Sequence, residues 1–306
     1  MSFVKDEYHH DHDHKKDLRG KNLLAAFGLN LIITIAEVIG GLISNSLALL
    51  SDAVHNLGDT FAVMLAYIAS VISKKNANER KTFGYKRIEI LAALLNAVIL
   101  IVITVFLFIE AYKRFQSPEP IRGLVMFWVA LVGLVANLVA VLLLKNDSNH
   151  NLNIRAVYLH LLGDTISSVA VIAGSILIYF FTIYWIDPVV TVLIGLYILK
   201  EAFRIVKETV DILMQGTPSS IDLQEVVKEI ERKTEINNVH HVHAWKLDDK
   251  QIHFECHADV TKDLPLSKTD QIRSEIEANL LNKFGISHVT IQFEHNCCDE
   301  KSMIHR

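Results

Sequence analysis

LAALLNAVILIVITVFLFI, residues 91–109, decides the fold class. The stretch contains no ionisable side chain, and at ~1.5 Å per helical residue it crosses a hydrocarbon core of about 30 Å. An amphipathic surface helix would show a polar residue on every turn, whereas here only Asn96 and Thr104 interrupt the apolar run. Working outward, Val125–Leu144 and Val189–Leu199 repeat the pattern, and the sequence predicts six spans, at about 22–43, 48–72, 88–110, 122–144, 157–181 and 185–206. The breaks between them carry turn or charge signals, among them Ser44-Asn45-Ser46, Lys74 to Arg87 and Ser117-Pro118-Glu119-Pro120.

Composition agrees with a membrane protein: 306 residues, 51% hydrophobic and 21% charged. A net charge of −4 argues against a nucleic-acid partner, which would call for a basic face. The N-terminus, MSFVKDEYHHDHDHKKDLRGK, has no apolar core and no cleavage signal, so it reads as a cytosolic tail and the first span as its own insertion signal. Loop 73–87 carries six Lys and Arg while 44–47 and 182–187 carry none, which places both termini in the cytoplasm. Lys113, Arg114 and Arg122 run against that rule on the outer side. Compact loops suit a bacterial cytoplasmic membrane. Cys256, Cys297 and Cys298 form a poor disulfide framework and read as reduced thiols.

From residue 208 onward the chain turns acidic, with 18 Asp and Glu against 11 Lys and Arg. A helix over Ile221–Thr234 starting at Asp222, strands over Val239–Leu247 and Ile252–Val260, a helix over Ser267–Phe284 ended by Gly285, and a strand over His288–Glu294 make a small two-layer α+β domain of order αββαβ. The expected regions are a His-rich tail (1–21), a six-helix membrane domain (22–207), a cytosolic regulatory and dimerisation domain (208–296) and a short C-terminal tail (297–306).

Ionisable residues at bilayer depth are expensive and point to function. The second span holds His55 and Asp59, and the fifth His160 and Asp164. Each pair is spaced i, i+4 and so shares one helical face. Two such helices face to face offer two imidazoles and two carboxylates, a four-ligand set suited to tetrahedral Zn2+ and neutral once the dication is bound. The bland reading is an intrahelical His–Asp hydrogen bond that only aids packing. An ordinary imidazole titrates near about 6.5, so protons and metal compete for it, and metal loaded from one side against protons from the other amounts to antiport. Asp52 either guides ions at the outer mouth or caps its span; Glu37, Asn30, Asn96 and Asn137 read as interhelical hydrogen-bonding groups.

The soluble part holds a second set of candidate ligands: His240, His241 and His243 before Trp245, His253 and His257 on the next strand, and Glu294, His295, Cys297 and Cys298 at the third. Alternation puts His241 and His243 on one sheet face, where His257 and Glu294 can meet them if the strands are neighbours; the competing reading is a solvated polar sheet. The run His9, His10, Asp11, His12, Asp13, His14 is either a flexible chelator or an inert tail.

Taken in order, SLALLSDAVHNLGD (46–59), FGYKRIEILAALLNA (83–97), HLLGD (160–164), Asp187-Pro188, VHHVHAWKL (239–247) and HVTIQFEH (288–295) resemble the cation diffusion facilitator family, most closely its zinc and cadmium/cobalt/zinc exporter branch. The resemblance spans about 22–296. It implies a homodimer in a lipid membrane, six helices per protomer, a cytosolic ferredoxin-like domain, and Zn2+/H+ antiport by alternating access. It implies that His55, Asp59, His160 and Asp164 hold the transported ion, and that His243, His257 and Glu294, with His241 beside them, hold a Zn2+ in the soluble domain. Some members carry a metal site in the loop after the second span; here that loop is basic, with Tyr85 where some have His, so none is expected. A membrane-bound metal sensor that signals without transport is the rival reading. An intramembrane hydrolase is not expected, since the chain has no HExxH and no general base beside a three-ligand open site.

Overall fold

The computed structural model describes residues 28, 30–148, 152–248, 251–295 and 302–304. The N-terminal His tract, Cys297 and Cys298 lie outside the described residues, as do the side chains of several positions at the α4–α5 junction, His160 among them.

Six apolar helices come first: α1 (Asn30–Ser44), α2 (Leu47–Ser73), α3 (Ile88–Gln116), α4 (Gly123–Ser148), α5 (Leu152–Phe181) and α6 (Ile186–Leu213). Among the described residues four stretches, in α2, α3, α4 and α5, are long and apolar enough to cross a membrane. Only 15 residues of α1 are described as one continuous helix, and in α6 the residues Asp187, Lys200, Glu201 and Arg204 interrupt any bilayer-length window. The outward faces stay apolar, with Ile32, Tyr67, Phe106 and Phe180 exposed, as expected for side chains that meet lipid rather than water.

The chain folds as two compact units, one of 1–65 with 96–204, the other of 66–95 with 205–306. In the first, the α1–α2 turn is held by Arg114, whose Nη1 donates to the Asn45 carbonyl (2.6 Å) and Nη2 to the Asn45 side chain (2.9 Å). This turn needs such support because Asn45 sits in the left-handed region at φ +61°. Arg114, one of the cations that ran against the charge rule, is thus spent on structure. Helix approach is closest at Gly195, where a Cβ would run into the Phe108 ring, and at Gly133 it would stand 2.8 Å from the Glu37 carboxylate.

In the second unit, α7 (Leu223–Glu231), β1 (Ile236–Lys246), β2 (Ile252–Val260), α8 (Leu266–Phe284) and β3 (His288–Glu294) follow in the expected order. The sheet runs β1-β2-β3, with β1 antiparallel and β3 parallel to β2. A parallel β2–β3 pair demands a crossover, and α8 supplies it. Asp222 caps α7 by accepting from the Gln224 amide (2.9 Å), and Gly285 ends α8 at φ +70°, its N–H returned to the carbonyls of Leu280 and Leu281. Val226 and Ile230 of α7, and Ile272, Ile276 and Leu280 of α8, bury one sheet face with Phe254 at the centre. Truncating a ring so completely buried costs ~3–5 kcal/mol. Beyond the strands, Ser302 and Met303 lie along β1, their carbonyls accepting from the amides of His241 (3.3 Å) and Val242 (2.8 Å).

Candidate metal sites

The first site grows from α2 and α5. Residues 55 and 59 stand one turn apart on α2, and residues 160 and 164 one turn apart on α5. His55 Nε2 lies 3.2 Å from Asp164 Oδ1 and 3.9 Å from Asp59 Oδ2. Two ligands of a tetrahedral Zn2+ at ~2.1 Å stand ~3.4 Å apart, so the interhelical spacing already suits a shared ion. Asp164 keeps 1% of its side-chain surface and His55 7%, whereas Asp59 keeps 31%. The structure therefore places His55 beside Asp164 and, at longer range, Asp59; the His160 side chain lies outside the described ones.

Around them sits a polar shell. Asn56 Nδ2 donates to Glu37 Oε2 (2.8 Å), joining α1 to α2 as an interhelical hydrogen bond. Asp52 does not cap α2: it lies in the second turn, fully enclosed, and accepts from the Ser167 hydroxyl of α5 (2.5 Å). The capping role belongs to Ser46, whose Oγ accepts from the Leu49 amide (3.1 Å). From α6, Tyr197 meets the His55 ring edge-on at 5.8 Å, and its hydroxyl would stand 3.2 Å from a Cβ at Gly163. Sequence reasoning missed Tyr197, an aromatic in an apolar span that no spacing rule singles out.

The second site grows from the sheet. His240 on β1 is directly opposite His257 on β2, while His243 is opposite Glu255. One extra residue therefore sits on β1 between them, a bulge, with His241 at φ +51°. The bulge re-aims the imidazoles. His240, His257 and Glu294 bring one ligand atom each within 4.8 Å of one another, with His257 Nδ1 at 2.7 Å and His240 Nε2 at 3.5 Å from the two Glu294 oxygens. The His241 ring stacks on His257 at 4.6 Å and touches His243 at 5.3 Å, so His243 reaches the group through His241. Asn238 holds His240 Nδ1 (3.1 Å) and Gln292 donates to Glu294 Oε1 (2.7 Å), outer contacts of the kind that orient metal ligands. His240 was in the sequence inventory, but strict alternation assigned it to the wrong face.

Comparison with known proteins adds independent findings. A family profile described as the cation efflux transmembrane domain matches residues 23–214, and one described as the cation efflux protein cytoplasmic domain matches 218–296. The chain is 40% identical over 285 residues to a "cadmium, cobalt and zinc/H(+)-K(+) antiporter" of Bacillus subtilis, covering 92% of this chain and 91% of that one. It is 41% identical over 293 residues to the zinc transporter ZitB of Pectobacterium atrosepticum (95% and 90% covered). It is 38% identical over 291 residues to the metal cation efflux system protein CzcD of Cupriavidus metallidurans (95% and 91% covered).

Proposed function

The chain belongs to the cation efflux family, whose two domain profiles match residues 23–214 and 218–296, and from that premise we propose that it exports Zn2+, with Cd2+ and Co2+ as further cargo, in exchange for protons by alternating access. The observation that carries the reading is the buried His55–Asp164 pair at 3.2 Å, with Asp59 one turn away on α2. Two helices brought together by an imidazole and a carboxylate make a site that a dication completes and a proton disrupts. His160 is the fourth ligand in this reading. Asp59, the accessible carboxylate, receives the ion, and Asp164, the enclosed one, retains it until protons displace it.

The membrane part is read as six spans within 22–207, with α1 and α6 joining the four apolar stretches, and both termini on the cytoplasmic side of a bacterial inner membrane. The domain 208–296 is read as a ferredoxin-like module that dimerises and holds Zn2+ through His257 and Glu294, joined by His240, His241 and His243. The donor set there, imidazole and carboxylate, suits Zn2+. The protein is a transporter rather than an enzyme, and relatives named as transporters and antiporters favour transport over a sensor role.

Proteoliposomes loaded with a Zn2+ indicator test the reading. A pH gradient should drive Zn2+ movement in the wild type, a protonophore should stop it, and Asp59→Ala or Asp164→Ala should abolish it in protein that still runs as wild type on gel filtration. Wild-type rates in both variants, or indifference to the gradient, would sink the assignment.

A further inference from the structure

Loop 74–87 leaves α2 at the end of an apolar helix and enters α3 at the start of another, so chain connectivity sets it at the depth of lipid head groups. Within the second unit it folds against the β2–β3 edge and borders an open cleft of about 730 Å³. Three lysines, Lys74, Lys75 and Lys86, line this cleft together with two imidazoles, His253 and His288, whose rings stand 4.6 Å apart. Asp248 is the one carboxylate among the described lining residues.

The positive-inside rule accounts for cations in this loop, but not for their convergence with a histidine pair on the facing strands. Lys81 shows what an ordinary loop cation does here: it lies over the Tyr85 ring at 4.2 Å. Lys86 instead reaches across to the sheet, donating to Gln251 Oε1 (2.5 Å). His253 is locked in place by Trp245, stacked at 5.4 Å, and by the edge of Phe83 at 5.7 Å. The loop can close over it because Gly84 adopts φ +71°, a conformation strained for any side-chain-bearing residue. Burial, His288 and Lys86 together hold the His253 imidazole below its ordinary pKa, against the opposing pull of Asp248. The protein thus gathers positive charge around a rigidly held donor.

We propose that this cleft binds a phosphate oxyanion, either the head group of an anionic lipid or free phosphate, and that the bound anion clamps loop 74–87 to the β2–β3 edge. Lysine ammonium groups and imidazole N–H donors are the groups such an oxyanion recruits. The proposal does not depend on which metal the protein moves.

Full-length protein in detergent provides the test, read as the thermal unfolding midpoint. One arm adds inorganic phosphate against chloride at matched ionic strength; the other adds short-chain phosphatidylglycerol against phosphatidylcholine. Occupancy should raise the midpoint by about 2–4 °C. A rise with phosphate identifies the free anion, a rise with phosphatidylglycerol alone the lipid, and either rise should vanish in Lys75→Gln and in His288→Asn, both exposed positions. No rise in either arm, or a rise undiminished in both variants, overturns the proposal. So does a Zn2+-induced rise that His288→Asn alone removes, which would make the histidine pair a metal site.

Discussion

Asp187, in the first turn of α6, accepts the Ser46 hydroxyl at 2.5 Å, and the two residues stand 141 positions apart in the chain. The same carboxylate accepts from the Leu47 amide (2.8 Å) and the Ala48 amide (3.2 Å). Those amides are orphan donors at the start of α2, which therefore takes its N-terminal cap from Ser46 and from a distant helix. Because α2 carries His55 and Asp59, the carboxylate that anchors its first turn also fixes the axial position of these two candidate ligands.

Asp187→Ala should accordingly destabilise the protein by about 3 kcal/mol, since three donors lose a charged acceptor in a buried setting. Asp187→Asn, which keeps an acceptor oxygen, should lose less. Midpoints of heat-induced loss of the monodisperse gel-filtration peak in detergent measure this; equal midpoints for Ala and wild type would refute the anchoring role.

At position 55 the proposed function makes the imidazole the group that selects the ion. A third carboxylate in place of His55 makes the site more anionic and relaxes its nitrogen-rich geometry. His55→Asp should lower the ratio of Zn2+ to Cd2+ transport in proteoliposomes, while leaving transport itself measurable. An unchanged ratio would show that selectivity resides elsewhere.

In the soluble domain, geometry ranks the histidines. His240 and His257 lie at ligand distance from Glu294, whereas His243 stands outside that group of described residues and meets the His241 ring. In the fragment 208–306, His240→Ala and His257→Ala should each weaken Zn2+ binding by at least about tenfold, and His243→Ala should weaken it less. Calorimetric titration decides this, and a larger loss at His243 than at His240 would reverse the ranking.

Cys256 lies in the sheet core, where burial, with Glu255 adding to it, pushes its thiol up to about 12. A thiol held protonated is a poor nucleophile. Maleimide at pH 7.5 should leave Cys256 unlabelled in native protein and label it in urea, as read by peptide mass. The linkage has a sign: the unfolded thiol releases its proton at about 8.5 while the folded one retains it, so Cys256 takes stability away as pH rises from that value toward the folded pKa. Substantial labelling without denaturant would contradict the buried assignment.

Much of this was legible before the fold was known. The β2 and β3 limits, the Asp222 start and the Gly285 stop follow from alternation and cap chemistry, which act within a few residues. The repeated spacing of His55 with Asp59 and of His160 with Asp164 declared a shared helical face. What alternation could not carry was the β1 bulge, because one unpaired residue reverses every assignment beyond it. Nor could local sequence announce that Asp187 caps α2 or that Tyr197 meets His55, since both depend on contacts between elements far apart in the chain.

Ser302 and Met303, in the short described stretch 302–304, cover the two amides at the bulge of β1. The family profile stops at residue 296, so a truncation designed on domain boundaries alone removes them. Two donors on an outer strand would then face solvent beside His241, an invitation to strand pairing between neighbouring molecules. The tail is therefore a sealing strip, and the same two carbonyls hold the backbone that aims the imidazoles. A fusion or deletion at this terminus acts directly on the sheet that carries His240, His257 and Glu294, even though no described tail residue belongs to that group.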